Sequence, residues 1–376
     1  MMIDRSEEQS AFRESCRRFA EAEIAPRVAA AEATGKYPID LRQVAGRMGF
    51  LSMSAPRQYG GAEAGLAFQC IATEEFSRVC AGLATGLSNG LGIELIHRIG
   101  APEQIASYYV PTIRGEKSGA FAMSESEAGS DVLAMKTKAT RTNDGWRLSG
   151  SKMYITGAPF SDYMLVAAYT RPDARARGVS LFLVDSRTPG VEIHKLDKLG
   201  HRSMETGAVF FDCTVPDSAL LGEEGSGMKY VMAVLERGRI THAARSLGVA
   251  RACYELAREQ AHSRRTFGQA IFNHQAIQFM LSRMLVELTS ARLHVQNAVQ
   301  GYDAGRKVHL EACMAKLVCS EAAVHLADSA MQIFGGQSYL MDSPIQRFFR
   351  DARLYPITEG TTEIQLRAIA REASGA

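Results

Sequence analysis

Near its C-terminal end the chain reads Ile357-Thr358-Glu359-Gly360-Thr361-Thr362-Glu363 and continues Ile364-Gln365-Leu366-Arg367-Ala368-Ile369-Ala370. Gly360 permits a turn that other residues resist, Thr361 can cap the helix that follows, and Glu363 suits the first turn of that helix. Such a turn holds the Glu359 carboxylate at the mouth of a helix, beside Tyr355, Pro356, Ile357 and Thr358. A carboxylate deprived of water gains proton affinity, which a base removing a carbon-bound proton needs. A solvated turn residue satisfies the same sequence, so this stretch alone leaves both readings open.

Other stretches have the composition of ligand sites. Phe121-Ala122-Met123-Ser124-Glu125-Ser126-Glu127-Ala128-Gly129-Ser130-Asp131 ends a candidate strand in small and hydroxyl-bearing residues. Such residues let a planar heterocycle or a phosphate approach the main chain, although an acidic hairpin loop looks the same. Arg264-Arg265-Thr266-Phe267-Gly268, followed by His274-Gln275, offers guanidinium groups whose paired donors match phosphate oxygens; an ordinary basic pair at a helix end is the alternative. Gln332-Ile333-Phe334-Gly335-Gly336 reads as a helix closed by a glycine cap. No Gly-x-Gly-x-x-Gly follows a strand, and Gly222, Gly225 and Gly227 precede a helix instead, which disfavours a nicotinamide-binding domain. The phosphate-binding lysine loop, His-Glu-x-x-His and Gly-x-Ser-x-Gly are all missing, and the nine histidines lack metal spacing, so no metal site is expected.

Taken in order, these motifs resemble the acyl-CoA dehydrogenase family over nearly the whole chain. The segment 358–365 is similar to the family's C-terminal segment, in which the glutamate before Gly-Thr is the catalytic base. That implies catalysis by Glu359, with Glu359, Gly360, Arg239 and Ser130 at the substrate. The segment 121–131 resembles the flavin loop Thr-Glu-Pro-x-Ala-Gly-Ser-Asp, which implies FAD contacts for Phe121, Met123 and Ser124, and for Ser130 a contact with both FAD and the pantetheine arm. Lys152-Met153-Tyr154-Ile155-Thr156 looks like the family's Lys-x-Trp-Ile-Thr, implying that Tyr154 and Thr156 meet the flavin. The resemblance further implies that Arg264 meets the FAD pyrophosphate across a subunit interface, with Phe267, Gln275, Gln332, Gly335, Gly336 and Thr361 in the same cofactor set. Ala55-Pro56-Arg57-Gln58-Tyr59-Gly60-Gly61 and Arg350-Asp351-Ala352 also follow the family pattern.

The chain departs from that pattern in two places. Ser126-Glu127 replaces Pro-Gly, adding a charge at the substrate entrance, and Tyr154 replaces tryptophan, offering a smaller stacking area. Some relatives carry their base immediately before an arginine on the helix that opens the last domain. Here that pair is Gly238-Arg239, and Glu236 lies two residues out of step on another helix face, leaving Glu359 as the aligned carboxylate. The resemblance implies FAD-dependent α,β-dehydrogenation of a saturated acyl thioester to the trans-2-enoyl thioester, an electron-transfer flavoprotein as oxidant and a homotetramer. Two other functions fit the same scaffold: a dehydrogenase of carrier-protein-bound acyl or aminoacyl groups, and a flavin monooxygenase or oxidase. Retention of Glu359 argues against the last. A non-catalytic helical interaction protein is the plainest reading, and a colourless purified protein would distinguish it.

These residues need three kinds of scaffold. From Ser6 to about Glu116 the pattern is helical, with stretches around Leu41–Met48, Cys70–Val79, Leu87–Ile99 and Pro102–Ile113. Between Gly119 and Gly227 short apolar runs alternate with turns. Candidate strands are Ala120–Met123, Trp146–Leu148, Lys152–Ile155, Tyr163–Tyr169, Val179–Val184, Val191–His194 and Val209–Cys213, as in a small antiparallel barrel or sandwich. After Gly227 the helical period returns. Ile277, Leu281, Met284, Leu288, Ala291, Val295 and Val299 mark one face of a long helix, and Leu310, Met314, Leu317 and Phe334 suggest its antiparallel neighbour. The expected class is α+β, mainly α: an N-terminal helical domain (1–118), a central β domain (119–226) and a C-terminal four-helix bundle (227–376).

Composition agrees with such an enzyme. Of 376 residues 46% are hydrophobic and 22% charged, enough for two or three packed domains, and an interspersed net charge of +2 leaves no basic field for nucleic acid or a membrane surface. Seven scattered cysteines without CxxC spacing read as reduced thiols. Met1–Arg5 runs into a charged amphipathic helix with no apolar core of a signal peptide, and no apolar run is long enough to span a bilayer. A soluble, cytoplasmic protein is the expectation.

Overall fold

The computed structural model describes residues 6–374; Met1–Arg5, read above as leading into the first helix, lie outside the described residues. α1 (Glu7–Phe19) starts at Ser6, whose hydroxyl accepts the Gln9 N–H at 3.1 Å. There follow α2 (Val28–Thr34), α3 (Ile39–Arg47), α4 (Leu66–Val79), α5 (Ala81–Gly86), α6 (Leu91–Ile99), α7 (Pro102–Gln104) and α8 (Val110–Ile113). α4 is buried from Gln69 to Ser77 because it lies between α1 and a long helix of the last third.

Eight strands form one sheet: β1 (Gly119–Ala122), β2 (Lys138–Thr142), β3 (Gly145–Thr156), β4 (Tyr163–Tyr169), β5 (Val179–Asp185), β6 (Val191–Lys195), β7 (Thr206–Val215) and β8 (Leu220–Leu221). Their order is β6-β7-β3-β2-β4-β5-β8, with β1 alongside β4. The path does not close into a barrel, and it is mixed, because β1 and β2 both pair with β4 in parallel. Every residue of β4 is buried: Leu165 and Ala167 face a core shared with α6 and the long helix, while Met164, Val166 and Ala168 share another with Trp146, Leu148 and Phe211. A strand covered on both faces reads as a continuous apolar run.

Two details differ from the pattern expected. β2 (Lys-Ala-Thr-Arg-Thr) buries only Ala139, so it lacks a strand-like apolar alternation. The two candidate strands at 146–148 and 152–155 are one strand, since Ser149, Gly150 and Ser151 stay in register with Asp212, Phe211 and Phe210 of β7.

The last third contains α9 (Gly227–Ser263), the small hairpin β9 (Arg265–Thr266) and β10 (Gln269–Ala270), then α10 (Gln275–Asp303), α11 (His309–Phe334), α12 (Pro344–Ala352) and α13 (Thr362–Ser374). α10 buries Leu281, Met284, Leu288, Ala291, Val295 and Val299, as their spacing predicts, with Ile277 partly covered. α11 does not use the face expected for it. Leu310, Met314 and Leu317 are only half-buried, and the core side is Ala312, Ala315, Cys319, Ala322, Ala323, Ala327 and Ala330. Small side chains there let α11 lie close against α9, with Leu326 and Ile333 as the large residues that join the same core.

A buried ionic cluster ties α1, α4, α9 and α10 together. Glu74 accepts from Arg292 at 2.6 Å, Arg13 at 3.1 Å and Arg251 at 3.2 Å, and Glu75 from Arg251 at 2.6 Å and Arg13 at 2.8 Å. All seven cysteines are buried and unbridged. Among the described residues no helix is long and apolar enough to cross a membrane, and no group of His, Cys, Asp and Glu is placed to hold a metal.

Candidate active site

The turn between α12 and α13 is built around two left-handed residues, Glu359 (φ +56°) and Gly360 (φ +86°). Glycine tolerates that geometry, whereas a glutamate adopts it at a cost of about 1 kcal/mol, so surrounding contacts must hold it. They come from Gln365, whose buried Nε2 donates to the Glu359 and Gly360 carbonyls at 3.1 and 3.0 Å, and from Lys316 of α11, whose Nζ donates to the Gly360 carbonyl at 2.7 Å. Thr361 caps α13, its hydroxyl accepting the Ile364 N–H at 3.4 Å. Among the described residues the Glu359 N–H has no protein acceptor.

The Glu359 carboxyl sits against α9. A Cβ built on Gly238 would lie 3.4 Å from Glu359 Oε2 and 2.7 Å from Leu91 Cδ2. Gly238 therefore leaves room that any other residue would fill. The carboxyl lines a cleft of about 420 Å³ bounded by Ser88, Asn89, Leu91, Val234, Thr241, His242 and Arg245. Glu359 is exposed along this opening, while protein crowds its carboxyl from the other sides. Dehydration raises its pKa above the usual carboxylate value, and the positive charges of Arg245, Lys316 and Arg239 offset this only in part.

Those three cations bond elsewhere. Arg245 donates to Ser88 Oγ at 3.0 Å, Lys316 to the Gly360 carbonyl, and Arg239 to Cys313 Sγ at 3.2 Å, with His309 Nδ1 at 3.4 Å. Burial lowers the Lys316 pKa to about 8, against the pull of Glu359. Burial also keeps His242, 3.3 Å from the Tyr355 carbonyl, well below the usual histidine range. The cleft thus holds a proton-hungry carboxyl and a neutral imidazole. Asn89 Oδ1 and Arg245 Nε, both on groups lining it, have no protein partner among the described residues.

A second group of the predicted residues gathers at the end of β1. The loop after it turns back tightly, with Glu125 and Ala128 exchanging backbone bonds at 3.1 and 3.2 Å and Ser126-Glu127 exposed at the tip. Lys152, fully buried in β3, fixes this loop: its Nζ donates to Glu125 Oε1 at 2.9 Å and to the Met123 carbonyl at 3.0 Å. Glu125 also accepts from Lys136 N, Thr137 N and Thr137 Oγ1. The Met153 N–H donates to the Ser124 carbonyl at 2.9 Å, so the loop and the end of β3 move as one. The register of β3 on β7 shifts between Lys152 and Ile155, and Tyr154 at this bulge has φ +63° and is 65% exposed. Phe121 borders Gly92 of α6, one residue from the Leu91 that borders Gly238, which joins this group to the Glu359 cleft.

The remaining predicted residues lie apart in the single chain. Arg264 and Gln275 are exposed at either end of the β9–β10 hairpin, and Phe267 at its tip is 96% exposed with φ +50°. Gln332 is exposed, Gly335 (φ +64°) closes α11, and neither Gly335 nor Gly336 has any atom near the Cβ position.

Family models match three successive parts of the chain: the N-terminal, middle and C-terminal domains of acyl-CoA dehydrogenase, at residues 6–116, 120–214 and 225–374. The chain belongs to the acyl-CoA dehydrogenase family. It is 38% identical over 372 residues to the mitochondrial short-chain specific acyl-CoA dehydrogenase of Mus musculus, covering 98% of this chain and 90% of that one. It is also 38% identical to an acyl-CoA dehydrogenase of Bacillus subtilis, covering 98% and 99%. Butyryl-CoA dehydrogenase from Megasphaera elsdenii superposes with a TM-score of 0.95 at 32% identity, covering all of both chains.

Within this acyl-CoA dehydrogenase scaffold, Lys152, Glu125, Lys316, Arg245 and Gln365 had no assigned role from sequence. Lys152 alone carried a signal, a lysine inside a strand whose neighbours are apolar. Glu125 acts on partners 11 to 27 residues away, Lys316 and Arg245 on partners 44 and 114 residues away, and Gln365 through a turn, beyond what spacing reveals.

Proposed function

We propose that this enzyme uses FAD to dehydrogenate a short saturated acyl-CoA to the trans-2-enoyl-CoA, with Glu359 as the base. The observation that carries the reading is the Glu359 turn: a carboxyl with raised proton affinity, open to a cleft, beside an uncommitted backbone N–H. In its ionised form Glu359 takes the α-proton onto a carboxylate oxygen as the α C–H bond breaks. The Glu359 N–H donates to the thioester carbonyl, meeting the negative charge that gathers on oxygen. The neutral His242 imidazole and the outward commitments of Arg245, Lys316 and Arg239 leave the carboxylate unpaired and therefore basic.

The residues present fit FAD. Ser124, Ser130 and Thr156 carry hydroxyls with no protein partner among the described residues, Tyr154 offers an exposed ring, and Gly335 and Gly336 leave open space for close approach. FAD, when bound, supplies the two-electron acceptor for the β-hydrogen. Phe121, Met123, Ser124, Tyr154, Thr156 and Thr361 would hold it in one chain, while the exposed Arg264, Phe267, Gln275 and Gln332 suit a neighbouring copy in a tetramer. Ser130, Arg239 and Gly360 complete the substrate set. Exposed Phe279, Leu285, Val286 and Leu293 on α10 give the subunits an apolar surface to share. Electron-transfer flavoprotein is the proposed oxidant and the cytoplasm the proposed location. The named relatives act on CoA esters, which favours coenzyme A over a carrier protein.

The test is anaerobic mixing of the purified flavoprotein with butyryl-CoA while the flavin spectrum is followed. Bleaching by the parent enzyme and its loss in Glu359→Gln, with flavin retained, are expected; a variant that still bleaches at the parental rate overturns the assignment of the base.

A further inference from the structure

Three polar side chains from three helices meet at the inner end of the Glu359 cleft. Arg237 of α9 donates through Nη1 to Glu94 Oε2 of α6, and through Nη2 to Gln69 Oε1 of α4 at 2.7 Å. Glu94 also accepts from Arg98 Nε at 2.6 Å through its other oxygen. The cluster is well enclosed, with the Arg237 and Glu94 side chains 16% and 18% exposed. Behind it lies a second, narrow hollow, lined on one side by Phe50, Met53, Phe76, Leu87 and Ile113 and elsewhere by Ser54, Thr73, Ser88 and Asn89. Gln69, Glu94 and Arg237, together with Ser88 and Asn89, line both spaces, so they stand between the cleft and the hollow.

An apolar chain growing from the α-carbon beside Glu359 meets this partition before it can reach the apolar side of the hollow. Passing it requires separating an ion pair and leaving both charges without partners in a poorly hydrated place, where breaking one member of a buried pair is heavily penalised. Although burial opposes it, the charges of Arg237 and Arg98 hold Glu94 below the usual carboxylate range, so the barrier stays ionised across the neutral range. Arg237 is already satisfied by Glu94 and Gln69, which suits a wall better than a free cation waiting for an anionic substrate.

We propose that the Arg237–Glu94 pair, braced by Gln69, is the specificity-determining wall of the acyl pocket, limiting the enzyme to short straight acyl groups. The proposal rests on the dehydrogenase reading above. Replacing the wall with an apolar side chain frees room for the chain beside Phe50, Met53 and Phe76, where a fully buried methylene contributes up to a ~4-fold gain in binding.

The experiment compares kcat/KM for octanoyl-CoA and butyryl-CoA in the parent holoenzyme, in Arg237→Met, in Arg237→Lys and in the double variant Arg237→Met/Glu94→Gln. The double variant leaves no buried charge unpaired, since Arg98, which loses its Glu94 partner, is 41% exposed, and it keeps the test alive if the single exchange fails to fold. The octanoyl-to-butyryl ratio should rise about tenfold or more in both methionine variants and stay near the parental value in Arg237→Lys. A ratio unchanged within about twofold in a methionine variant that retains flavin and melts cooperatively overturns the wall. So does a parent enzyme that prefers glutaryl-CoA and loses that preference in Arg237→Met, because Arg237 would then be an anion ligand. Failure of every acyl-CoA to bleach the parent flavin overturns the dehydrogenase reading itself, and is distinct from an unchanged ratio in a working enzyme.

Discussion

Glu74 is buried and Glu359 is exposed along its cleft, yet each has three basic side chains around it and their proton affinities move in opposite directions. Burial opposes ionisation of Glu74, but Arg292, Arg13 and Arg251 override it and bring the pKa to about 2. At Glu359 the dehydration imposed by the protein crowding its carboxyl dominates, and Arg245, Lys316 and Arg239 recover only part of the loss. The difference is contact. All three arginines lie within 3.2 Å of a Glu74 oxygen, whereas the cations near Glu359 give their hydrogen bonds to Ser88, the Gly360 carbonyl and Cys313. A charge-assisted hydrogen bond offsets dehydration, and a cation held at a distance does so incompletely. One carboxylate is thereby made a structural anchor and the other a base.

The comparison breaks most visibly on exchange of each glutamate for glutamine. Glu359→Gln should slow flavin reduction by about two to four orders of magnitude in anaerobic rapid mixing, the usual cost of losing an essential proton-transfer group. The same exchange should leave the melting temperature unchanged or raise it, because the raised pKa means that folding disfavours the ionised form. Glu74→Gln should do the reverse to stability, destabilising by about 3–5 kcal/mol in denaturant titration by stranding buried arginines. Acid titration separates the two by sign. Glu74 has a depressed folded pKa, so its contribution is complete above 4.5 and is lost as pH falls from there toward about 2. A smaller effect is expected from Lys316→Met, which removes a positive charge near Glu359 and should move the acid limb of the reduction rate to higher pH. The smallest is Gly360→Ala: at φ +86°, with a Cβ 2.6 Å from Gln365 Nε2, it should lower stability by about 1 kcal/mol or more and loosen the turn.

Part of this was legible in the chain. The apolar steps of α10 placed its buried face, and Gly360 with Thr361 announced a left-handed turn running into a capped helix. Elements set by distant partners were not. β2 is a strand because β3 pairs with it, although only Ala139 is buried, and α11 turns its alanines inward because α9 demands close approach. The Glu359 neighbourhood in sequence is apolar and hydroxylic, and nothing in it foretells Lys316 or Arg245, which arrive from α11 and α9. Lys152 is the intermediate case: a lysine inside a strand is conspicuous, but its partner Glu125 sits in a loop that reads as solvent-exposed.

The pH dependence of flavin reduction by butyryl-CoA, measured anaerobically in a single turnover, tests the central claim most directly. The account predicts a rate that rises with pH through one ionisation lying above the usual glutamate value of 4.5, and that ionisation vanishes in Glu359→Gln. A rate that ignores pH across this range, or an acid limb that survives in the variant, would contradict it.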